Sequence, residues 1–135
     1  MEPLTLPRAL FEELLEEARR VLPNECCGLL AGRGRTVMRL FRATNALASP
    51  AAYEIRPREL FALFRRLRAE ELDLVGIYHS HPTGENFPSV RDLERAYYPE
   101  TAYVIISPRA DATRPVRAFL LGEKAAVELP VEVPV

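Results

Sequence analysis

Leu72-Asp73-Leu74-Val75-Gly76-Ile77-Tyr78-His79-Ser80-His81-Pro82 is the stretch on which the fold turns. Leu72 to Tyr78 is nearly all apolar, the pattern of a strand covered on both faces by other structure. Such strands belong to α/β sheets with helices packed against them. The segment from His79 to Pro88 then reads as a loop. The C-terminal end of a buried strand is a common place for a site in an α/β sheet.

Outward from that strand, apolar spacing defines the neighbours. Leu10, Phe11, Leu14, Leu15, Ala18 and Leu22 recur at helical intervals, which predicts a helix from Pro7 to Leu22. Pro7 suits its first turn. A short apolar run from Glu25 to Ala31, bounded by Gly32, reads as a strand. Thr36 to Ala43 alternates Val37, Arg39 and Phe41 with Met38, Leu40 and Arg42, a second strand. The loop from Asn45 to Pro50 leads to a short extended piece at Tyr53-Glu54-Ile55. A second amphipathic helix is expected from Pro57 to Glu70, with Leu60, Phe61, Leu63, Phe64 and Leu67 inward. A short third helix is expected over Val90–Tyr97, and strands over Ala102–Ser107, Val116–Leu121 and Ala126–Val133. The fold class is therefore α/β, with a mixed sheet of about six strands and two or three flanking helices.

The chain has 135 residues, which predicts one domain over 1–135. Apolar residues make up 48% and charged residues 27%, an ordinary globular balance that excludes a disordered chain. With 18 basic against 19 acidic residues, the net charge of −1 gives no general pull toward nucleic acid or an anionic membrane. No apolar run approaches a membrane span. Met1-Glu2-Pro3-Leu4 lacks the basic start and apolar stretch of a signal peptide. Cys26 and Cys27 are adjacent, so they cannot staple distant segments, and a cytoplasmic location is expected. The Arg-rich face of the 57–70 helix reads as a solvated face or as a surface for an acidic partner.

His79 and His81 are the only histidines. In extended backbone, residues i and i+2 point to one side, so their imidazoles converge at the strand end. Neutral imidazole is the commonest zinc ligand, and a catalytic zinc takes three protein ligands plus water. On its own an H-x-H is weak evidence, and a pair of surface histidines at a strand end is the simpler reading. A third ligand would be a carboxylate or a thiolate. Asp92 lies eleven residues after His81, in the first turn of the third helix. Ser89-Val90-Arg91-Asp92 is also the pattern of a capping box, with Ser89 as N-cap. Capping and ligation are compatible if Asp92 turns one oxygen each way. A structural Cys2His2 site is a rival, although adjacent strand residues point to opposite faces and keep two thiols from one ion. Small buried residues are the simpler reading of Cys26 and Cys27. Glu25 is either an edge charge or a general base toward a metal-activated water. There is no H-E-x-x-H, no G-x-S-x-G, no phosphate loop and no P-C-x-x-C.

Taken together, His79-Ser80-His81-Pro82, then six residues, then Ser89-x-x-Asp92, with Glu25 upstream, resembles the JAMM (MPN+) metalloprotease motif. Pro23-Asn24-Glu25-Cys26-Cys27-Gly28-Leu29-Leu30 resembles the prokaryotic branch of that family, as does the order of elements along nearly the whole chain. The resemblance implies an MPN (JAB/MPN-like) domain with one zinc held by His79, His81 and Asp92. It implies Glu25 as proton acceptor from the nucleophilic water and Ser89 as hydrogen-bond donor to the oxyanion. It further implies cleavage after the C-terminal glycine of a ubiquitin-like protein, in bacteria a sulfur carrier, with release of an amino acid or a conjugated lysine. The alternative is a non-catalytic MPN-type scaffold, a protein-interaction module that binds a partner through the same surface; a bound equivalent of zinc together with hydrolysis separates the two.

Overall fold

The computed structural model describes residues 2–123 and 125–135. The element order is β1 (Leu4–Thr5), α1 (Arg8–Arg20), β2 (Cys27–Arg33), β3 (Thr36–Ala43), α2 (Pro57–Ala69), β4 (Asp73–Ser80), α3 (Val90–Glu94), β5 (Ala102–Ile106), β6 (Val116–Leu121), β7 (Ala126–Leu129) and β8 (Val131–Glu132). The strands form one mixed sheet in the order β7-β6-β5-β4-β2-β3-β1-β8. β4 is central, antiparallel to β2 and parallel to β5.

Two apolar layers sandwich this sheet. On one face Leu14 and Ala18 of α1 pack with Leu30, Val75, Tyr78 and Val104. On the other, Leu63 and Leu67 of α2 pack with Leu29, Phe41, Ile77 and Ile105. Both helices follow from local chemistry as well as from their apolar stripes. Pro57 occupies the first turn of α2, where a missing N–H costs nothing, and Glu59 in that turn suits the positive helix end. Arg19 and Arg20 in the last turn of α1 complement its negative end.

A bulge sets the phase of β4. Leu30 pairs with Gly76 and Ala31 with Leu74, so Val75 is left unpaired. Leu74 and Ile77 consequently face α2, whereas Val75 and Tyr78 face α1. The strand continues through His79 and Ser80, and the alternation turns His79 to the α2 face. A slip of one residue would send His79 to the opposite layer.

The sheet has eight strands rather than six. β1 and β8 are two-residue strands, too short for an apolar pattern to announce them. The expected strand over Ala126–Val133 is divided at Pro130, which has no N–H for a ladder. Because β7 and β8 lie at opposite ends of the sheet order yet only Pro130 separates them, the sheet curls until its edges approach. The third helix is shorter than expected, ending at Glu94. Pro99 disfavours helical backbone at Tyr98, whose N–H is taken instead by the Tyr103 hydroxyl at 3.1 Å. Among the described residues no helix is long and apolar enough to cross a membrane.

Candidate active site

The end of β4 is tied to the start of β2 before either reaches the site. Ser80 Oγ accepts the Cys26 N–H at 2.8 Å, and Ser80 N–H donates to the Cys26 carbonyl at 3.2 Å. His81 N–H donates to the Ile106 carbonyl of β5 at 2.9 Å. Three strands thus fix the His79–His81 backbone, and the two imidazoles converge. Their Nε2 atoms lie 3.2 Å apart, with the rings tilted by 59°.

Asp92 completes the convergence. One carboxylate oxygen, Oδ1, is 3.1 Å from His79 Nε2, and the other, Oδ2, is 3.2 Å from His81 Nε2. The same residue closes the capping box of α3. Asp92 Oδ2 accepts the Ser89 N–H at 2.9 Å, and Ser89 Oγ accepts the Asp92 N–H at 3.1 Å. Capping and convergence therefore coexist in one carboxylate. Burial pushes the Asp92 carboxyl up, but hydrogen bonds from both histidines and from the Ser89 amide outweigh it and hold the group far below the usual range.

The two histidines differ in their surroundings. His81 Nδ1 faces the Glu85 carbonyl at 2.8 Å. A carbonyl only accepts, so Nδ1 carries a proton; Nε2 gives its own proton to Asp92 when the ring is charged and offers its lone pair to an ion when the ring is neutral. His79 is 1% exposed, and its Nδ1 has no hydrogen-bond partner. Burial draws its pKa down. Its ring lies against Tyr53, with centroids 4.6 Å apart and planes within 21° of parallel.

Glu25 sits just ahead of β2 rather than inside it. Its backbone is pinned on both sides, the N–H donating to the Ser49 carbonyl at 2.9 Å and the carbonyl accepting from Asn45 Nδ2 at 3.2 Å. The side chain is 5% exposed and lines the same cavity, of about 440 Å³, as His79, His81, Ser89 and Asp92. Burial raises its pKa to about 7, His81 opposing the rise and Asp92 adding to it. A carboxyl tuned near neutrality suits proton transfer at working pH. Tyr53, Ile55, Tyr97 and Tyr98 give the cavity an aromatic and apolar wall, and Glu54 pairs with Arg95 at 3.6 Å beside it.

The donor set fits a small divalent ion of the zinc type. Two imidazoles and a carboxylate are catalytic zinc chemistry, and tetrahedral ligands about 2.0 Å from an ion stand about 3.3 Å from one another. The separations between the two Nε2 atoms and from each to Asp92 are 3.1–3.2 Å. His79, His81 and Asp92 form the group of metal-type donors found among the described residues. Cys26 and Cys27 are not in it. Both are buried free thiols, with burial holding Cys26 up to about 12 and Cys27 also far above the usual range.

Two residues at the site have no part in the expectations drawn from sequence. Asn45 holds the 44–54 loop, its Nδ2 donating to the Ala52 carbonyl at 3.0 Å as well as to Glu25, and its Oδ1 accepting from the N–H groups of Leu47 and Glu54 at 3.1 and 3.2 Å. Tyr53 rides on that loop. An Asn in a Pro-flanked loop and an aromatic in a short extended piece are weak signs alone, because both are common in ordinary loops.

Residues 7–121 match the family described as prokaryotic homologs of the JAB domain. A Thermus thermophilus protein named as a probable TtuB-protein conjugate cleaving protease is 42% identical over 129 residues, spanning 95% of this chain and 82% of the relative. The CysO-cysteine peptidase of Mycobacterium tuberculosis is 34% identical over 133 residues, spanning 96% of this chain and 90% of the relative. A solution structure of a Desulfitobacterium hafniense protein superposes with a TM-score of 0.84 at 32% identity, covering 96% of this chain and 92% of the other.

Proposed function

The chain belongs to the prokaryotic JAB-domain family, and from that premise we propose that it is a JAMM-type metallopeptidase acting on ubiquitin-like sulfur-carrier conjugates. It hydrolyses the bond after the carrier's C-terminal glycine, releasing an amino acid or a conjugated lysine. The observation that carries this reading is the meeting of His79, His81 and Asp92 in one cavity with a buried Glu25. A scaffold of the same fold has no use for three converging donors beside a carboxyl raised to about 7.

His79, His81 and Asp92 are the residues that hold the ion, which we take to be one zinc per chain. When bound, zinc supplies a Lewis acid that acidifies water and polarises the scissile carbonyl. Glu25 accepts the proton of the attacking water and passes it to the leaving amine. Its burial beside the donor cluster places the carboxyl within the cavity where both transfers occur. Ser89 accepts the Asp92 N–H through its lone pair, which leaves the hydroxyl hydrogen free to donate to the developing oxyanion. The apolar wall at Tyr53 and Ile55 gives a flexible tail a surface to lie along in extended form. Glycines at its end bring the backbone close to the donors without side-chain clashes. Two buried free thiols suit a reducing cytoplasm.

The test uses the zinc-loaded protein and a ubiquitin-like carrier ending in Gly-Gly plus one added residue, with products read by mass spectrometry. Cleavage after the second glycine is expected, and Gly→Val at that position should abolish it while the carrier stays folded. Efficient cutting of the Val variant, or of unstructured peptides without Gly-Gly, would show a general peptidase instead. No hydrolysis at all by the zinc-loaded protein would favour the scaffold reading.

A further inference from the structure

His81 and His79 offer the same atom to the site but are oriented by different means. A metal-bound histidine usually donates its second ring N–H to a carboxylate, a carbonyl or water, which fixes the ring. His81 follows that rule through the Glu85 carbonyl. His79 does not, and its Nδ1 is the one buried side-chain nitrogen or oxygen left without a partner among the described residues. With Nδ1 unpartnered, the polar contacts of the ring are confined to Nε2, at the donor cluster itself, where a bound ion would replace them. What meets the ring is the face of Tyr53, 4.6 Å away and nearly parallel.

We propose that Tyr53 is the positioning residue for His79, its stacked ring replacing the missing hydrogen bond and fixing the imidazole for metal binding. The inference rests on the ligand set proposed above. Flat stacking of this kind restrains the plane of the imidazole while asking nothing of Nδ1. The restraint comes from outside the strand that carries His79. Tyr53 belongs to the extended segment after the Asn45 loop, and that loop is hydrogen-bonded into place on both sides of it, at Ala52 and at Glu54. Tyr53, Glu54 and Ile55 of this segment all line the cavity, and Glu54 is tied to Arg95 of the facing wall at 3.6 Å. The segment that lines the path of the substrate tail therefore also sets the plane of a ligand. The phenol hydroxyl is not needed for this, because the contact is made by the ring face.

The experiment measures zinc affinity directly, by competition with a chromophoric chelator, in the full chain and three variants. Tyr53→Phe keeps the aromatic face and is expected to stay within about twofold of the unsubstituted chain. Tyr53→Leu keeps apolar bulk but not the flat face, and Tyr53→Ala removes both. Each is expected to lose about 10–100-fold in affinity, the range typical of lost outer-shell support. The visible spectrum of the cobalt-substituted protein should change in Leu and Ala but not in Phe. Leu and Ala affinities within threefold of the unsubstituted chain would overturn the proposal, as would a Phe variant that falls with them. Failure of the unsubstituted chain to bind zinc is a different result, since it removes the ligand set itself and this inference with it.

Discussion

Tyr78 Oη lies 2.7 Å from Glu17 Oε1, on the α1 side of the strand that turns His79 the other way. Tyr78 donates, and Arg42 Nε stands 3.4 Å from the same carboxylate oxygen. Burial nevertheless dominates and raises the Glu17 pKa above 4.5, with the Tyr78 hydrogen bond and Arg42 opposing it. The folded chain then holds this proton more tightly than the unfolded chain. Glu17 contributes fully below its unfolded value, and stability falls as pH rises through the folded one. Glu17→Gln should therefore gain on the unsubstituted protein as pH increases across that window. Urea melts of both proteins from pH 4 to 8 read the difference, and a Gln variant that loses ground to the unsubstituted protein as pH rises would contradict the sign.

Glu25→Gln separates proton transfer from everything else at the site. The amide cannot accept the water's proton, so hydrolysis should fall about 10²–10⁴-fold while zinc content and carrier binding persist. Stability should move the opposite way. A buried carboxyl raised to about 7 is costly when ionised, so at pH 8 the metal-free Gln variant should be more stable by on the order of 2 kcal/mol. Unchanged turnover would remove Glu25 as the base.

Ser89 has two roles to distinguish, and glycine distinguishes them. Replacing an N-cap Ser by Ala costs about 1 kcal/mol, but by Gly only a few tenths. Ser89→Gly should thus melt near the unsubstituted protein while losing about 10²–10³-fold in kcat if its hydroxyl serves the oxyanion. Ser89→Ala should lose both. Equal activity in the Gly variant would leave Ser89 as a cap alone.

Asn45→Ala removes the side chain that ties Glu25, Ala52, Leu47 and Glu54 together. A cost of about 2 kcal/mol follows if two of those bonds are not remade with water. Because the loop carries one wall of the cavity, KM for the carrier should rise more than kcat falls. Steady-state kinetics on a tailed carrier supply the check.

The sequence carried the layers of this fold where periodicity was long. α1, α2 and the run from Leu72 to Tyr78 are each specified by their own apolar spacing. β1 and β8 are specified by pairing with each other and with β3, which no window of two residues displays. The bulge at Val75 is equally silent, since Leu74, Val75, Gly76 and Ile77 read as one apolar run, yet it decides which layer receives His79. At the site, His79 and His81 were legible as a pair from their spacing at a strand end, whereas Asp92 read locally as a helix cap and joined them only through the resemblance of the whole motif. Tyr53 and Asn45 were not legible, because their roles depend on a stack against a histidine distant in sequence and on backbone groups of several other residues.

The carboxylate shared between helix cap and donor cluster makes one amide proton a gauge. Ser89 N–H points at Asp92 Oδ2, the oxygen that also faces His81. Any cation drawing charge from that oxygen weakens the hydrogen bond it accepts. The nitrogen and proton frequencies of Ser89 should then move upfield on titration with zinc, in step with occupancy, while amides on the α1 layer stay still. The chain carries its own indicator for loading, readable without a substrate and at a residue that need not be altered.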